Sequence, residues 1–232
     1  MSIGIVVALP EELRTLSPVK LARGEVVSLG PKITICLSGA GHANANQAAH
    51  KLLEQGASKL ISWGCAAALA PHLKSGDLLI SSQVIDNGQL IENSTYWAEQ
   101  ISTCVEIAHY KTEFALASNY GLISDSNKKQ RLYTETTAVA LDMESAAVAS
   151  VAHEAQLPFV AIRAIADTAN MTLPPAILNA LNPEGEVVLG VLIKHLLVHL
   201  WEIPALIKLG MHFSAAQKTL KVVAKQLQQF PA

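Results

Sequence analysis

Three short stretches place carboxylates directly beside apolar runs: Pro10-Glu11-Glu12-Leu13-Arg14, Asp142-Met143-Glu144-Ser145 and Arg163-Ala164-Ile165-Ala166-Asp167. Carboxylates from separate parts of a chain, brought to one cavity, can act as general acid, general base and hydroxyl acceptor. Each also has a plainer role. Glu11, Glu12 and Glu144 fit a first helical turn, where acids complement the dipole, and Asp142, Ser145 or Asp167 fit an N-cap. Two small-residue turns accompany them. The N–H groups of Ser38-Gly39-Ala40-Gly41 are suited to cradle an anion or an oriented water. Gly64-Cys65-Ala66-Ala67 admits either a flat ring or a tightly packed helix, and the sequence does not choose between these.

Other chemistries find less support. Gly39-x-Gly41-x-x-Asn44 begins like a dinucleotide fingerprint, but its third position is Asn, and Ser58-Lys59 stand where an acidic ribose ligand belongs. His195 and His199 are one helical turn apart, yet Leu196 replaces the glutamate of a zinc protease and no third ligand is evident, so no metal is expected. Neither a Gly-x-Ser-x-Gly elbow nor a P-loop Gly-Lys-Ser/Thr occurs.

The elements that must position these residues follow from hydrophobic patterning. Ile3 to Leu9, Ile33 to Leu37, Leu60 to Trp63, Leu78 to Ile85 and Phe159 to Ile165 are continuous apolar runs, as in strands buried on both faces. Helical patterns over Asn44 to Gln55 and Met143 to Glu154 alternate with them, which implies βαβ units. The carboxyl ends of such strands are where sites form. Asp86 to Ser118 reads as a helix with irregular flanks. Glu186 to Gln228 reads as two or three helices broken near Pro204, with a heavy apolar face. That face suits either packing and subunit contact or a lipid surface.

Composition sets the outer bounds. Half of the 232 residues are hydrophobic and 16% are charged, enough apolar material for one large core. A net charge of -2 without a basic cluster argues against nucleic acid as a partner. Three cysteines, Cys36, Cys65 and Cys104, at unrelated spacings suggest no disulfide framework, and a reducing cytoplasm fits best. The N-terminal apolar run lacks a preceding basic residue, the wrong order for a signal peptide.

The order of the motifs resembles the nucleoside phosphorylase family, particularly the methylthioadenosine and adenosylhomocysteine nucleosidases. The matching pieces are Ile3-Gly4-Ile5-Val6 with Glu11-Glu12, Ser38-Gly39-x-Gly41, Gly64-Cys65-Ala66-Ala67, Ser75-Gly76-Asp77, Asp142-Met143-Glu144-Ser145 and Arg163-Ala164-Ile165-Ala166-Asp167. The resemblance implies an α/β single-domain three-layer sandwich, with a mixed, mostly parallel central sheet flanked by helices. Residues 1–200 would form the nucleosidase-like domain and 201–232 a helical C-terminal extension of it. Glu12 would orient and deprotonate an attacking water held by Ser38, Gly39 and Gly41. Met143 and Glu144 would meet the ribose. Asp167 would protonate N7 of the purine, aided by Ser124 and Asp125, with Ala66 and Ala67 lining the base.

Breaking a glycosidic bond needs an acid at the leaving group and a nucleophile opposite. Burial is expected to raise the pKa of Asp167, whereas a wetter Glu12 would stay ionised. No cofactor is implied beyond phosphate as a co-substrate, for which Arg14 is the cation near Glu12 in sequence. The turn that is Gly-rich in the family is alanine here, Asp142 stands in place of Glu, and the 86–118 cover is short.

An open 5′ end and an apolar C-terminus are most similar to the hopanoid-associated phosphorylases, which implies adenine release from adenosylhopane. Trp201, Leu206, Leu209, Met211 and Phe213 would then face the lipid, or the inner membrane surface. A homo-oligomer, as a dimer, is the family's expectation. The alternatives are methylthioadenosine/S-adenosylhomocysteine cleavage, a non-catalytic purine- or lipid-binding module on the same fold, or a dinucleotide-dependent oxidoreductase.

Overall fold

A computed structural model describes residues 2–105, 109–111, 115–118, 121–182 and 187–227. In chain order the elements are β1 (Ile3–Val7), α1 (Pro10–Leu16), β2 (Val26–Leu29), β3 (Ile33–Leu37), α2 (His42–Glu54) and β4 (Lys59–Ala68). There follow β5 (Leu78–Ser81), β6 (Gln83–Asp86), β7 (Gln89–Glu92), α3 (Thr95–Cys104), β8 (His109–Lys111), β9 (Leu116–Ser118), α4 (Ser126–Thr136) and β10 (Ala140–Leu141). The last are α5 (Ser145–Glu154), β11 (Phe159–Asp167), α6 (Pro175–Ala180), α7 (Leu189–Leu196), a 3₁₀ turn (Leu200–Glu202) and α8 (Ile203–Leu227).

The strands form one mixed sheet centred on β4, which runs parallel to β1 on one side and parallel to β11 on the other. The main path runs β2-β3-β1-β4-β10-β9-β6-β7, while β11, β5 and β8 form a branch. β4 needs its length because β1 and β10 share one of its edges, β1 pairing from Lys59 to Trp63 and β10 antiparallel at Ala67 and Ala68. β11 takes the other edge up to Ala67.

Each face of the sheet buries its own apolar cluster. On one, the alanine-rich surfaces of α2 and α5 let the helices approach closely, through Ala45, Ala49, Ala146 and Ala149. On the other, Trp63 and Trp97 pack with Leu220, Val223 and Ala224 of α8. The result is the expected three-layer α/β sandwich, with α8 sharing the core of the sheet.

Several boundaries differ from the sequence reading. The Leu78 to Ile85 run is two strands, parted at the fully buried Ser82, because the chain passes there from the branch to the main path. An apolar run reports burial, not which neighbour a strand takes. The 86–118 stretch contains β7, β8 and β9 as well as α3, and 106–108 and 112–114 lie outside the described residues. α5 begins at Ser145, leaving Met143 and Glu144 in the turn before it. The C-terminal break falls at 197–199; Pro204 sits in the first turn of α8, where a missing N–H is tolerated. Glu186 and Gln228, the limits of that reading, lie outside the described residues. Among the described residues, no single helix is long and apolar enough to cross a membrane.

Candidate active site

α1 starts at the carboxyl end of β1 and places Glu12 at its third position, turned into the protein and 4% exposed. The Glu12 carboxylate accepts from the backbone N–H of Cys65 at 2.7 Å and of Leu9 at 3.2 Å. This fixes it over the end of β4. Gly64 makes the approach possible: a Cβ there would lie 2.5 Å from Glu12 Oε1 and 2.5 Å from Arg163 Nη1. Gly64 to Ala67, read from the sequence as a turn, instead continue β4 as strand, and at Gly64 the missing side chain makes room for two charged ones.

Arg163 is the hub of the cluster. Fully buried on β11, it donates from Nε to Asp142 Oδ2 at 2.6 Å and from Nη2 to Ser62 Oγ at 2.6 Å. Asp142 also accepts from Ser145 Oγ at 2.5 Å and from Ser145 N at 3.2 Å. The N-cap of α5 is Glu144 and not Asp142, which stands two residues ahead of it, holds the first amide of the helix and adds a buried ion pair.

Glu144 lies beside this pair and accepts from Gly41 N at 2.8 Å. Burial, then the neighbouring Asp142, raises its pKa to about 7, while Arg163 and the Gly41 N–H pull it down. Burial likewise raises Glu12, against Arg163 and the two amides. Glu12 is thus not the wetter carboxyl that the sequence suggested, and its ionisation rests on Arg163.

A β-bulge follows. The register of β11 on β4 slips between Ile165 and Asp167, which brings Asp167 opposite Ala67. Ala67 also faces Leu141 of β10, three residues before Glu144. Bulges commonly re-aim a side chain at a site. Asp167 Oδ2 is 2.5 Å from Lys129 Nζ, and Oδ1 is buried without a partner. Burial raises the Asp167 pKa; Lys129 most of all, and then His212, oppose the rise. Glu12, Glu144 and Asp167 are thereby gathered around the carboxyl end of β4.

The remaining expected positions divide. Ser38 is buried, and its hydroxyl lies on the Gly39 carbonyl at 2.8 Å and the Val7 carbonyl at 3.2 Å. Gly41, at φ 95°, opens α2 in a conformation suited to glycine. Its amide serves Glu144, not a free anion. Gly39 is covered by the Arg23 side chain, which itself bonds Asn44. Met143 and Ala67 are half-buried and Ala66 is buried.

Arg14 does not belong to the group. It lies on the solvent side of α1, bonded to Glu11 at 2.5 Å, because two residues along a helix turn a side chain away from Glu12. Asp125 caps α4 by accepting from Lys128 N at 3.0 Å, so this oxygen is spent on the helix that carries Lys129. Ser124 accepts Leu173 N through its carbonyl at 2.9 Å, tying that segment to the loop after Asp167.

A family model described as the phosphorylase superfamily matches residues 2–180. The chain belongs to the phosphorylase superfamily. A curated relative within reach of this superfamily member is a 5′-methylthioadenosine/S-adenosylhomocysteine nucleosidase of Tolumonas auensis, 28% identical, covering 75% of this chain and 89% of its own. Solved structures share the fold. The same type of nucleosidase from Helicobacter pylori aligns at TM-score 0.70 and 21% identity, over 98% of this chain and 96% of its own. Futalosine hydrolase of Helicobacter pylori aligns at TM-score 0.69 and 22% identity, over 98% and 95%. S-adenosylhomocysteine nucleosidase from Streptococcus pyogenes, in complex with 5-methylthiotubericidin, aligns at 0.72 and 20%, over 100% and 98%.

Three residues beside these carboxylates have no role in the sequence reading. Arg163 stands at the head of a matched motif, but its partners Asp142 and Ser62 lie on other elements. Lys129 stands in an ordinary polar helix, and its signal is spatial: a fully buried ammonium that also donates to the Thr168 and Met171 carbonyls at 3.1 and 2.8 Å. His212 of α8 has a buried Nδ1 without a partner.

Proposed function

We propose that the chain hydrolyses the bond between C1′ of ribose and N9 of adenine in a nucleoside with a large apolar 5′ substituent, adenosylhopane. Glu144 accepts the ribose hydroxyls beside Met143. Glu12 takes a proton from water as the water oxygen bonds C1′. The electrons of the broken C1′–N9 bond pass into the purine, and Asp167 gives N7 a proton through Oδ1, the oxygen that Lys129 leaves free.

Water is favoured over phosphate by the use already made of the anion handles. Gly41 N serves Glu144, the Ser38 hydroxyl lies on backbone carbonyls, and Arg14 is at the surface. A carboxylate at position 12 repels a phosphate besides.

The observation that carries the lipid reading is α8 with its approach. His212 acts on Asp167, yet the preceding Met211 is exposed, as are Ile207, Trp201 and Leu197. An exposed apolar surface thus runs along the segment that carries His212. Leu206 and Leu209 are half-buried, and Phe213 packs on the core, so Phe213 leaves the proposed lipid face. The exposed apolar side of α7 takes its place. This face suits work at the inner surface of the cytoplasmic membrane.

The test is adenine release from adenosylhopane in detergent micelles against methylthioadenosine, in phosphate-free buffer. The proposal expects the higher kcat/KM for adenosylhopane and no stimulation by phosphate. Rapid release from methylthioadenosine alone would return the function to the named nucleosidase relatives.

A further inference from the structure

One group of side chains away from the carboxylates has no part in that reaction. His195 and His199 stand one turn apart at the end of α7 and just beyond it, and Glu202 ends the 3₁₀ turn before α8. The two helical segments meet at 113°. One ligand-capable atom from each of the three residues lies within 4.8 Å of the others. His195 Nε2 and Glu202 Oε1 are 3.0 Å apart, near the edge of about 3.4 Å in a tetrahedron with zinc bonds of about 2.1 Å.

The outward atoms are already held. His199 Nδ1 lies 3.0 Å from the His195 carbonyl, and His195 Nδ1 lies 3.4 Å from the Asn179 side-chain amide. Glu202 Oε2 accepts from Ala176 N at 2.8 Å. Metal-binding histidines commonly donate one ring N–H to a carbonyl or amide oxygen, which leaves the lone pair of the other nitrogen for the ion. His199 is held in this way, and His195 becomes so once the Asn179 amide turns over to present its oxygen in place of the nitrogen that now faces Nδ1.

We propose that His195, His199 and Glu202 bind one Zn²⁺, with the fourth position open to water. Two imidazole nitrogens and a carboxylate oxygen suit zinc. The proton between His195 and Glu202 is displaced to solvent as the ion enters. The site has a mechanical reason. α7 buries none of its residues, so packing gives it little hold, whereas an ion would fasten it to the head of α8 and, through Ala176, to α6. A mere ion pair explains His195 with Glu202 and leaves His199 only its ring contacts, stacked on His195 at 4.2 Å and edge-on to Trp201 at 5.0 Å, which substitution would remove without touching zinc affinity. That difference decides the experiment.

Full-length untagged protein, stripped with a chelator, is titrated with Zn²⁺ by calorimetry and with Co²⁺ by visible absorption, and its melting is followed with and without zinc. One equivalent should bind and raise Tm by mass action. His199→Gln should weaken binding by about a hundredfold, and Asn179→Ala, which leaves all three ligands, by about 10–100-fold. Absence of saturable binding at one equivalent, or unchanged affinity in His199→Gln, would overturn the site. If His199→Gln does not fold, an unchanged affinity in Asn179→Ala overturns it equally.

Discussion

At Asp167 two opposing effects meet. Burial favours the neutral acid that protonates a leaving base, whereas the Lys129 ammonium at 2.5 Å favours the carboxylate. Removing the cation should let burial dominate. Lys129→Met is therefore predicted to move the alkaline limb of the kcat/KM profile to higher pH and to lower kcat by about a hundredfold through lost positioning of Asp167; a profile identical to wild type would exclude Lys129 from the reaction. The same pair complicates Asp167→Asn, which leaves a buried ammonium without its counter-charge, so that variant must be shown to melt cooperatively before its activity is read. Glu144 makes a separate prediction. Its folded pKa, about 7, lies above the ordinary 4.5, so the folded state binds the proton more tightly than the unfolded one. Its contribution to stability is complete below pH 4.5 and is lost as pH rises through about 7. Glu144→Gln should thus melt higher than wild type at pH 8 and show no such advantage at pH 4, as followed by thermal unfolding. Glu12, Glu144 and Asp167 were legible because each stands next to a strand end or small-residue turn. Arg163, Lys129 and His212 were not, since their partners lie on other elements and no local spacing announces them.

At the scale of elements, the acid is aimed by the β11 bulge and Lys129 is carried in by α4. The Asp125 cap at the head of α4 should matter to both folding and turnover. Asp125→Ala is expected to cost about 1 kcal/mol of stability and to reduce kcat more than KM, by loosening the helix that seats Lys129; equal effects on both parameters would favour direct contact of Asp125 with the base. The buried parallel strands were legible from Val- and Ile-rich runs, and α2 and α5 from their alanine-rich periodicity. The switch at Ser82 was not, because both strands are buried and so look like one. The third possible metal ligand, Glu202, escaped notice for a related reason: the helix stops after Leu196, and a pattern based on one continuous helix looks past the turn.

For the whole molecule, alternating strands and helices fixed the three-layer class, but branching of the sheet at β4 depends on non-local pairing that no window of sequence contains. That branching is functional. It sets β10 and β11 on opposite edges of β4 at Ala67, so that Glu144 and Asp167 approach from two sides the same strand end that holds Glu12. The account depends on these three carboxyl groups acting on one glycosidic bond. The most direct measurement is adenine release in phosphate-free buffer by the wild type, Glu12→Gln and Asp167→Asn, each confirmed as folded, with adenosylhopane and methylthioadenosine supplied in parallel. The wild type should release adenine, and each variant should be slower by about a hundredfold to ten-thousandfold. Ordinary turnover in either folded variant, or no adenine from the wild type with both nucleosides, would contradict the account.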